Sequence, residues 1–565
     1  MIRKLGIVLV VFFTIAGICL AQGDPASVSA GVIERAATPK DSNPPVYRLP
    51  QIETQSADIP DDNGTKVTVK NFVFDGNASI SSDDLSGIVE SYANRPITFA
   101  DLKSICRKIQ QFYQLKGYFL VRAVLPPQDI SQGMLRIQII EGSIGKIIIR
   151  GNQRISMQFI NDRLKVDPSK PCVRYNHLLK ALILLNEYPS FDLKTTLVKG
   201  EAAGTTDLVV DVTEHHRAKV RTSVYNGGPR YVSEIVMGQQ FELYDAFKNG
   251  DAVNAHSVLG TPAKNLRMGG ISYTAPINTH DTKASVSYDY SDFHARRAIS
   301  DLGIRGVTQT FGLGISQPVI RTLATKLDVS AGFNAKDIKN FTLDNPSAHD
   351  RLRVVNIGFD HNHRDGFNGR TFWHNTFSAG LPHFLGSNDA NDADMSRLGS
   401  GGRFFKWSGE VSRVQNLPAS AFILLRGDYQ LASETLPASE EFFIGGMDSV
   451  RGYPQAEFLG DNGYTVNVEL RLPPYGLKDL EVPWAHKPLK DFMQFALFFD
   501  HGEAYRKSFL PGEFKDRALT GAGWGLRFFL TDHANVDLDW AYPVGGDDTS
   551  DGSDSSFYVK FNAEY

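Results

Sequence analysis

From residue 216 to its C-terminus the chain is built of short segments in which apolar and polar side chains alternate. Sixteen such segments begin near Lys219, Glu234, Ala252, Leu266, Thr282, Gln309, Thr325, Arg351, Thr371, Arg403, Phe422, Tyr464, Phe492, Leu519, Asn535 and Phe557. A period of two sends successive side chains to opposite faces of a strand. An even number of strands of roughly ten residues, closed antiparallel, gives a barrel with lipid outside and water within. Mean hydropathy is −0.22, and past the first 20 residues no apolar run is long enough for a membrane-spanning helix. A helical membrane protein is therefore excluded, whereas a barrel, which greases only one face of each strand, is not. A soluble β-sandwich is the competing reading. Connection lengths argue against it: turns after even-numbered strands are short (276–281, 417–420, 531–533), and those after odd-numbered strands are long (291–307, 381–401, 432–463). That asymmetry also orients the barrel, the short turns lying on the side of the N-terminal region. The long turn before Phe492 breaks the rule. The last segment ends the chain on Phe557, Val559, Phe561, Ala563 and Tyr565 on one face, with Tyr558, Lys560, Asn562 and Glu564 on the other.

Upstream, Arg3 and Lys4 precede an apolar run ending near Ala21, which reads as a cleaved secretory signal over residues 1–21. An uncleaved anchor and a lipidated Cys19 are weaker readings, the first because the run is short and the second because Ile18 stands where a small residue is wanted. Residues 22–64 have the Pro, Ser, Asp and Asn content of a linker, with a pattern at 28–37 compatible with a short pore-plugging helix. Residues 65–215 carry a repeat with a period of 75 residues: a strand ends at Gly76-Asn77 with Ile80 three residues past the Asn, and another at Gly151-Asn152 with Ile155 in the same place. Each copy (65–143 and 144–215) reads strand, helix, helix, strand, strand. Leu85, Ile88, Val89 and Tyr92 form one helical stripe. Thr98 and Asp101 make a capping box for a second helix closed by Gly117. A strand over 118–125 and another over 134–140 follow. A three-stranded sheet of this kind leaves an edge that can accept a strand from another chain; Tyr118, Leu120, Arg122 and Val124 are the candidate capture positions.

Net charge is −4, with mild imbalances of opposite sign in the two halves, which argues against a nucleic-acid binder. Cys106 and Cys172 remain after the signal and read as two isolated thiols rather than a disulfide framework. Asp360-His361-Asn362-His363 falls in an expected periplasmic turn, and a solvated turn outweighs a metal site there. His215-His216 reads as linker. No nucleotide-binding, nucleophile-elbow or zinc-hydrolase pattern occurs, so neither cofactor nor catalytic residue is expected.

Phe74-Asp75-Gly76-Asn77, Tyr113 with Gly117-Tyr118, Leu125-Pro126-Pro127-Gln128 and Glu141-Gly142 together resemble the first polypeptide-transport-associated (POTRA) domain of the two-partner secretion transporters, the haemolysin and haemagglutinin secretion/activation proteins. Val450-Arg451-Gly452-Tyr453 resembles the tip of that superfamily's sixth extracellular loop, and Phe498-Phe499-Asp500-His501-Gly502 the wall motif that receives it. The resemblance implies two α+β POTRA domains followed by a 16-stranded antiparallel transmembrane β-barrel over 216–565. It implies a loop folded into the lumen with Arg451 at its tip, and Phe499, Asp500 and Gly502 as the receiving wall. Physical chemistry supports such a pair: a guanidinium cannot shed its charge and its fork matches a carboxylate, so Asp500 is the expected acceptor and Glu503 a second candidate. The implied function is export of an unfolded, β-rich partner protein across the outer membrane without nucleotide hydrolysis. The implied company is outer-membrane lipid and the barrel assembly machinery, reading Phe557, Phe561 and Tyr565 as insertion signal, with the chain a monomer. An outer-membrane protein insertase and a passive porin or receptor are the alternatives.

Overall fold

The computed structural model describes residues 29, 52–53, 67–118, 120–130, 132–165, 175–202, 204–389 and 392–565. The signal segment, the helix expected at 28–37 (Ser29 aside) and Cys172 lie outside them. Cys106 is a free thiol, and burial pushes it up to about 11.

The repeat is realised hydrogen bond by hydrogen bond. In the first copy β2 (Asn71–Asp75) is followed by α1 (Ser82–Val89), α2 (Phe99–Leu115), β3 (Val121–Val124) and β4 (Met134–Glu141). The second has β5 (Ser143–Arg150), α3 (Met157–Leu164), α4 (Tyr175–Leu185), β6 (Phe191–Lys199) and β7 (Thr205–Glu214). After each first strand a glycine turns the chain with positive φ, +86° at Gly76 and +80° at Gly151, where a Cβ would sit 2.3 Å and 2.5 Å from a carbonyl oxygen of the central strand. The next asparagine then bridges the turn, Asn77 donating to Ile80 O at 2.9 Å and Asn152 to Ile155 O at 3.0 Å. A glutamate at the end of the central strand receives the loop. Glu141 accepts from Ser79 N (2.8 Å) and from the Tyr113 hydroxyl (2.9 Å). Glu214 accepts from the N–H groups of Gln153, Arg154 and Ile155. Burial alone would raise the Glu214 carboxyl; those N–H donors and the Arg154 guanidinium hold it down to about 2. The Pro-Pro-Gln segment has an equally local reason: Gln128 accepts from Arg136 N and donates to Arg136 O, both 2.7 Å, carrying the ladder past the prolines with a side chain.

In the first sheet β4 is central, parallel to β2 and antiparallel to β3, so β3 is an edge. The second sheet has the same plan with β7 central, but its outer strand β6 is covered by β1 (Ile52–Glu53), which pairs with Thr195 and Thr196 in parallel. The strand expected over 118–125 is shorter than its alternation suggests: Tyr118 packs edge-on against Tyr113, and Leu120 packs into the core of the second repeat.

The barrel strands are β8 (Ala218–Tyr225), β9 (Val236–Tyr244), β10 (Ala252–Gly260), β11 (Leu266–Pro276), β12 (Lys283–His294), β13 (Arg305–Arg321), β14 (Thr325–Thr342), β15 (Asn345–Arg364), β16 (Gly369–Gly380), β17 (Phe404–Asn416), β18 (Phe422–Ala432), β19 (Asn462–Leu472), β20 (Met493–Tyr505), β21 (Asp516–Thr531), β22 (Ala534–Gly546) and β23 (Ser556–Glu564). They close into one antiparallel 16-stranded barrel, as the alternation predicts. Closure runs from Arg221↔Glu564 to Tyr225↔Lys560, and Tyr565 exchanges both backbone hydrogen bonds with Val220. Strands β13, β14 and β15 run to 17, 18 and 20 residues, longer than the roughly ten a bilayer requires. Ladder hydrogen bonds form as well in water as in lipid, so these strands continue past the membrane on the extracellular side. The segment Asp360-His361-Asn362-His363 is a correction: it lies in β15, with His361 opposite Trp373 and His363 opposite Thr371. The turn begins only at Asp365, whose carboxylate accepts from Phe367 N and Gly369 N. The long turn 473–492 carries its own hairpin, Glu481–Val482 with Lys487–Pro488, and a helical turn, Leu489–Phe492.

The second repeat is docked on the periplasmic end of the barrel. Arg163 of α3 donates to Asp281 (2.7 Å), and so does Tyr188 (2.7 Å); the side chains of Arg163 and Asp281 are 8% and 4% exposed. Glu187 pairs with Arg321 (3.0 Å) and Lys326 (2.6 Å).

Candidate functional site

The loop between β18 and β19 leaves the extracellular rim, pairs Phe442–Ile444 with Phe458–Gly460 as a small hairpin, and folds back into the lumen. Its base is pinned by ion pairs: Glu440 to Lys336 and Lys406, both 2.6 Å, and Arg397 to Glu441 (2.9 Å) and Asp461 (2.7 Å). Its tip is the Val450–Tyr453 segment. Arg451 forks onto Asp500, Nε to Oδ2 at 2.7 Å and Nη2 to Oδ1 at 3.0 Å, while its backbone N–H donates to the same carboxylate at 3.2 Å. Its remaining nitrogen, Nη1, reaches Glu469 (2.9 Å) and Asp539 (3.4 Å). The guanidinium lies 3.5 Å over the Phe498 ring, a cation–π contact that covers the face no carboxylate can reach.

Strand parity explains who takes part. On β20 the even-numbered residues Phe498, Asp500 and Gly502 face the lumen, and the odd-numbered ones face lipid. Phe499 is therefore a correction: it is 50% exposed on the lipid side, and Phe498 is the aromatic that meets the arginine. Glu503 shares the outward parity and hydrogen-bonds the Tyr505 hydroxyl instead. The further acceptors are Glu469 and Asp539, which the loop and wall motifs do not contain. Both are held in turn by other arginines: Glu469 by Arg471 (2.8 Å) and Arg527 (3.2 Å), and Asp539 by Arg527 (2.7 Å). Three guanidiniums and three carboxylates thus form one buried network in which each charge has an opposite neighbour.

Glycines make room for the tip. Gly452 has φ +98° and a Cβ there would lie 2.8 Å from Tyr542 C; a Cβ at Gly521 would lie 1.9 Å from Arg451 O. Val450 is buried with Ile444, Tyr453, Leu519 and Ala504. Tyr453 donates to Gly545 O (2.9 Å), and Tyr558 of the last strand accepts from Gly452 N (3.2 Å) and donates to Tyr453 O (3.1 Å). The C-terminal strand therefore has a wet face that grips the loop and a dry face carrying Phe557, which continues an aromatic row through Trp540 and Trp524; Phe561 shares that outward parity and Tyr565 is exposed. Beside the loop base, β12 to β17 line a cavity of about 550 Å³ with polar residues such as Ser285, Ser330, Asn356 and Thr376 and with Lys283, Lys336 and Lys406, joined by Glu440 of the loop.

Of the capture positions, Arg122 is exposed and Val124 half-buried on the edge strand, whereas Tyr118 and Leu120 lie before it. Leu120 O accepts from Gly142 N. In an antiparallel ladder this makes the even-numbered residues the paired ones, and the backbone of Val121 and Ala123 faces the open edge. Among the described residues no cluster of metal-ligating side chains occurs.

Comparison with known proteins places these features. The model of the haemolysin secretion/activation protein family ShlB/FhaC/HecB matches residues 204–528, and that of the ShlB-type POTRA domain matches residues 67–142. The chain belongs to this secretion/activation family. It is 23% identical over 402 residues to the haem/hemopexin transporter protein HuxB of Haemophilus influenzae, spanning 70% of each chain. It is 23% identical over 417 residues to the outer membrane transporter CdiB of Dickeya dadantii, 71% of each. Its fold is similar to that of CdiB from Escherichia coli (TM-score 0.71, 18% identity, 90% of this chain and 93% of that one). BamA from Haemophilus ducreyi lacking POTRA domains 1–3 shares the architecture more distantly, with a TM-score of 0.53 and 13% identity over 89% of this chain and 100% of that one. This secretion/activation protein is thus an outer-membrane two-partner secretion transporter, its POTRA repeats in the periplasm.

Proposed function

We propose that the transporter captures an unfolded, β-rich partner in the periplasm on the open β3 edge of its first repeat and passes it through the lumen past the Arg451 loop. The partner folds outside and cannot return, so folding free energy drives export and the protein performs no catalysis. The observation that carries this reading is the loop tip itself: a connection folded into the conduit whose tip is seated on the barrel wall by the forked pair of Arg451 with Asp500. Such a contact has two states, seated and released, and the serines, threonines and asparagines of the neighbouring wall offer an extended chain hydrogen bonds. The edge of β3 supplies main-chain donors and acceptors that are blind to side-chain sequence, which suits an extended segment of a β-rich chain. The transporter acts as a monomer, because the barrel and both repeats are complete within one chain. The barrel assembly machinery inserts it, reading Phe557, Phe561 and Tyr565 on the lipid face of the closing strand. Deleting residues 66–143 tests the division of labour. The barrel is expected to fold and insert while export of the partner stops; export at the normal rate would refute capture by the first repeat.

A further inference from the structure

The turn 473–492 is long for the periplasmic side of a barrel, and it is not floppy. Leu489 N donates to Leu480 O (2.8 Å), Lys490 N to Lys478 O (3.1 Å), and the Tyr475 hydroxyl to Ala419 O of the neighbouring turn (3.3 Å). A chain folded this tightly in water would turn its apolar side chains inward. Here Tyr475, Leu477, Leu480 and Trp484 are between 53% and 65% exposed. They continue the lipid-facing surface. Trp484 packs edge-on against Phe492 with ring centres 4.9 Å apart, and Phe492 against Phe528 at 5.8 Å. Phe528 shares the parity of Trp524 on β21, a residue 46% exposed on the outer wall of the barrel. The turn carries three lysines and three acidic residues, two of the lysines being paired, Lys487 with Asp532 and Lys490 with Asp479. It has no net charge to attract a charged macromolecule.

We infer that residues 473–492 form a foot seated in the periplasmic leaflet of the membrane, with Leu477, Leu480 and Trp484 immersed at the boundary between headgroups and acyl chains. Large apolar side chains with an indole and a phenol are the composition favoured at that depth, and the surface is continuous with one already in lipid. Lysines at its margin can lay their stems along the apolar surface and keep their charges in the headgroups. The consequence is positional: the foot joins β19 to β20, the strands that carry Glu469 and Asp500, and fixes their periplasmic ends relative to the bilayer. The inference rests on the barrel being in the membrane and is independent of how a partner is captured.

The test uses the full chain with Cys19, Cys106 and Cys172 replaced by alanine, Trp484→Cys labelled with bimane, and reconstitution in phosphatidylcholine vesicles. A spin label at carbon 5 of the lipid chain is expected to remove at least half of the emission, and aqueous iodide to quench several-fold less than it quenches the same label at Asp554→Cys in an extracellular loop. Leu477→Asp with Leu480→Asp should reverse both readings while the barrel stays heat-modifiable. Emission quenched by iodide as freely as at position 554 would overturn the inference. So would a label that neither lipid nor iodide reaches, since the site would then be covered by protein.

Discussion

Arg451→Ala removes the fork and leaves the Asp500 carboxylate, 0% exposed, with the backbone N–H of residue 451 in place of three donors. Stripping one partner from a buried pair costs about 3–5 kcal/mol. At about 1.4 kcal/mol per decade, the seated loop loses roughly two to three and a half orders of magnitude in population relative to the released one. Asp500→Ala is milder, because Arg451 keeps Glu469, Asp539 and the Phe498 ring; losing the charged hydrogen bonds to one acceptor costs about 1.5–3 kcal/mol. Arg451→Lys falls between, since an ammonium supplies a point charge and no fork. The double substitution leaves no orphan carboxylate at position 500, so its effect should be smaller than the sum of the singles by about 0.5–3 kcal/mol. The assay is secreted partner per heat-modifiable barrel for wild type and each variant. Beside it runs labelling of Ser449→Cys by a membrane-impermeant thiol reagent, Ser449 being buried beside the tip. Export should fall far more than insertion, and labelling should rise in the order Asp500→Ala, then Arg451→Ala. Strict additivity, or Asp500→Ala proving the more severe, would mean that the pair does not hold the loop.

Removing residues 557–565 takes away the partner of β8 and the ladder from Ala534↔Ala563 to Trp540↔Phe557, leaving edges that lipid cannot satisfy; the product should be unfolded in the periplasm, and a heat-modifiable membrane form would contradict this. Asp281→Ala strands Arg163 and Tyr188 at the docking face and should release the second repeat by about 3–5 kcal/mol, seen as faster deuterium uptake in Met157–Leu164 with the barrel unchanged; equal uptake would show that this pair does not dock it. Glu214 has its folded pKa depressed to about 2, so its contribution is present above the ordinary carboxylate range near 4.5 and is lost as pH falls through that value toward 2. Amide protection in residues 143–214, taken relative to the intrinsic exchange rate at each pH, should therefore fall over that acid window in the wild type, and Glu214→Gln should start less protected at pH 7 and lack that part of the pH dependence.

The barrel was legible because its code is local. A strand states its own parity, and every one of the sixteen segments announces itself without reference to its neighbours. The duplicated repeat was legible for the same reason, since Gly76-Asn77 and Gly151-Asn152 each satisfy a turn within four residues. What was not legible depends on distance. Leu120 alternates as an edge-strand residue does, yet it packs into the other repeat, a contact with no signature in the segment itself. His361 and His363 looked like turn residues because the signal for the real turn, Asp365 capping two N–H groups, sits just beyond them. The arginine loop is the instructive case. Its motif identifies the tip but not the charges that receive it. Glu469, Arg471, Arg527 and Asp539 lie on three strands, and two of those strands set charges one residue apart on the same face, Glu469-Leu470-Arg471 and Asp537-Leu538-Asp539. Parity applied to those strands puts the charges in the lumen, and parity applied to β20 puts Phe498 there rather than Phe499. Several ionised side chains on the inner faces of nearby strands cannot be left to repel or to stand alone, so a buried counter-charge is required where they converge. The lone arginine of the loop is that counter-charge. The stronger signal for the seat of the loop therefore lay in the barrel wall, where charges alternate with apolar residues, and the loop motif named only what fills it.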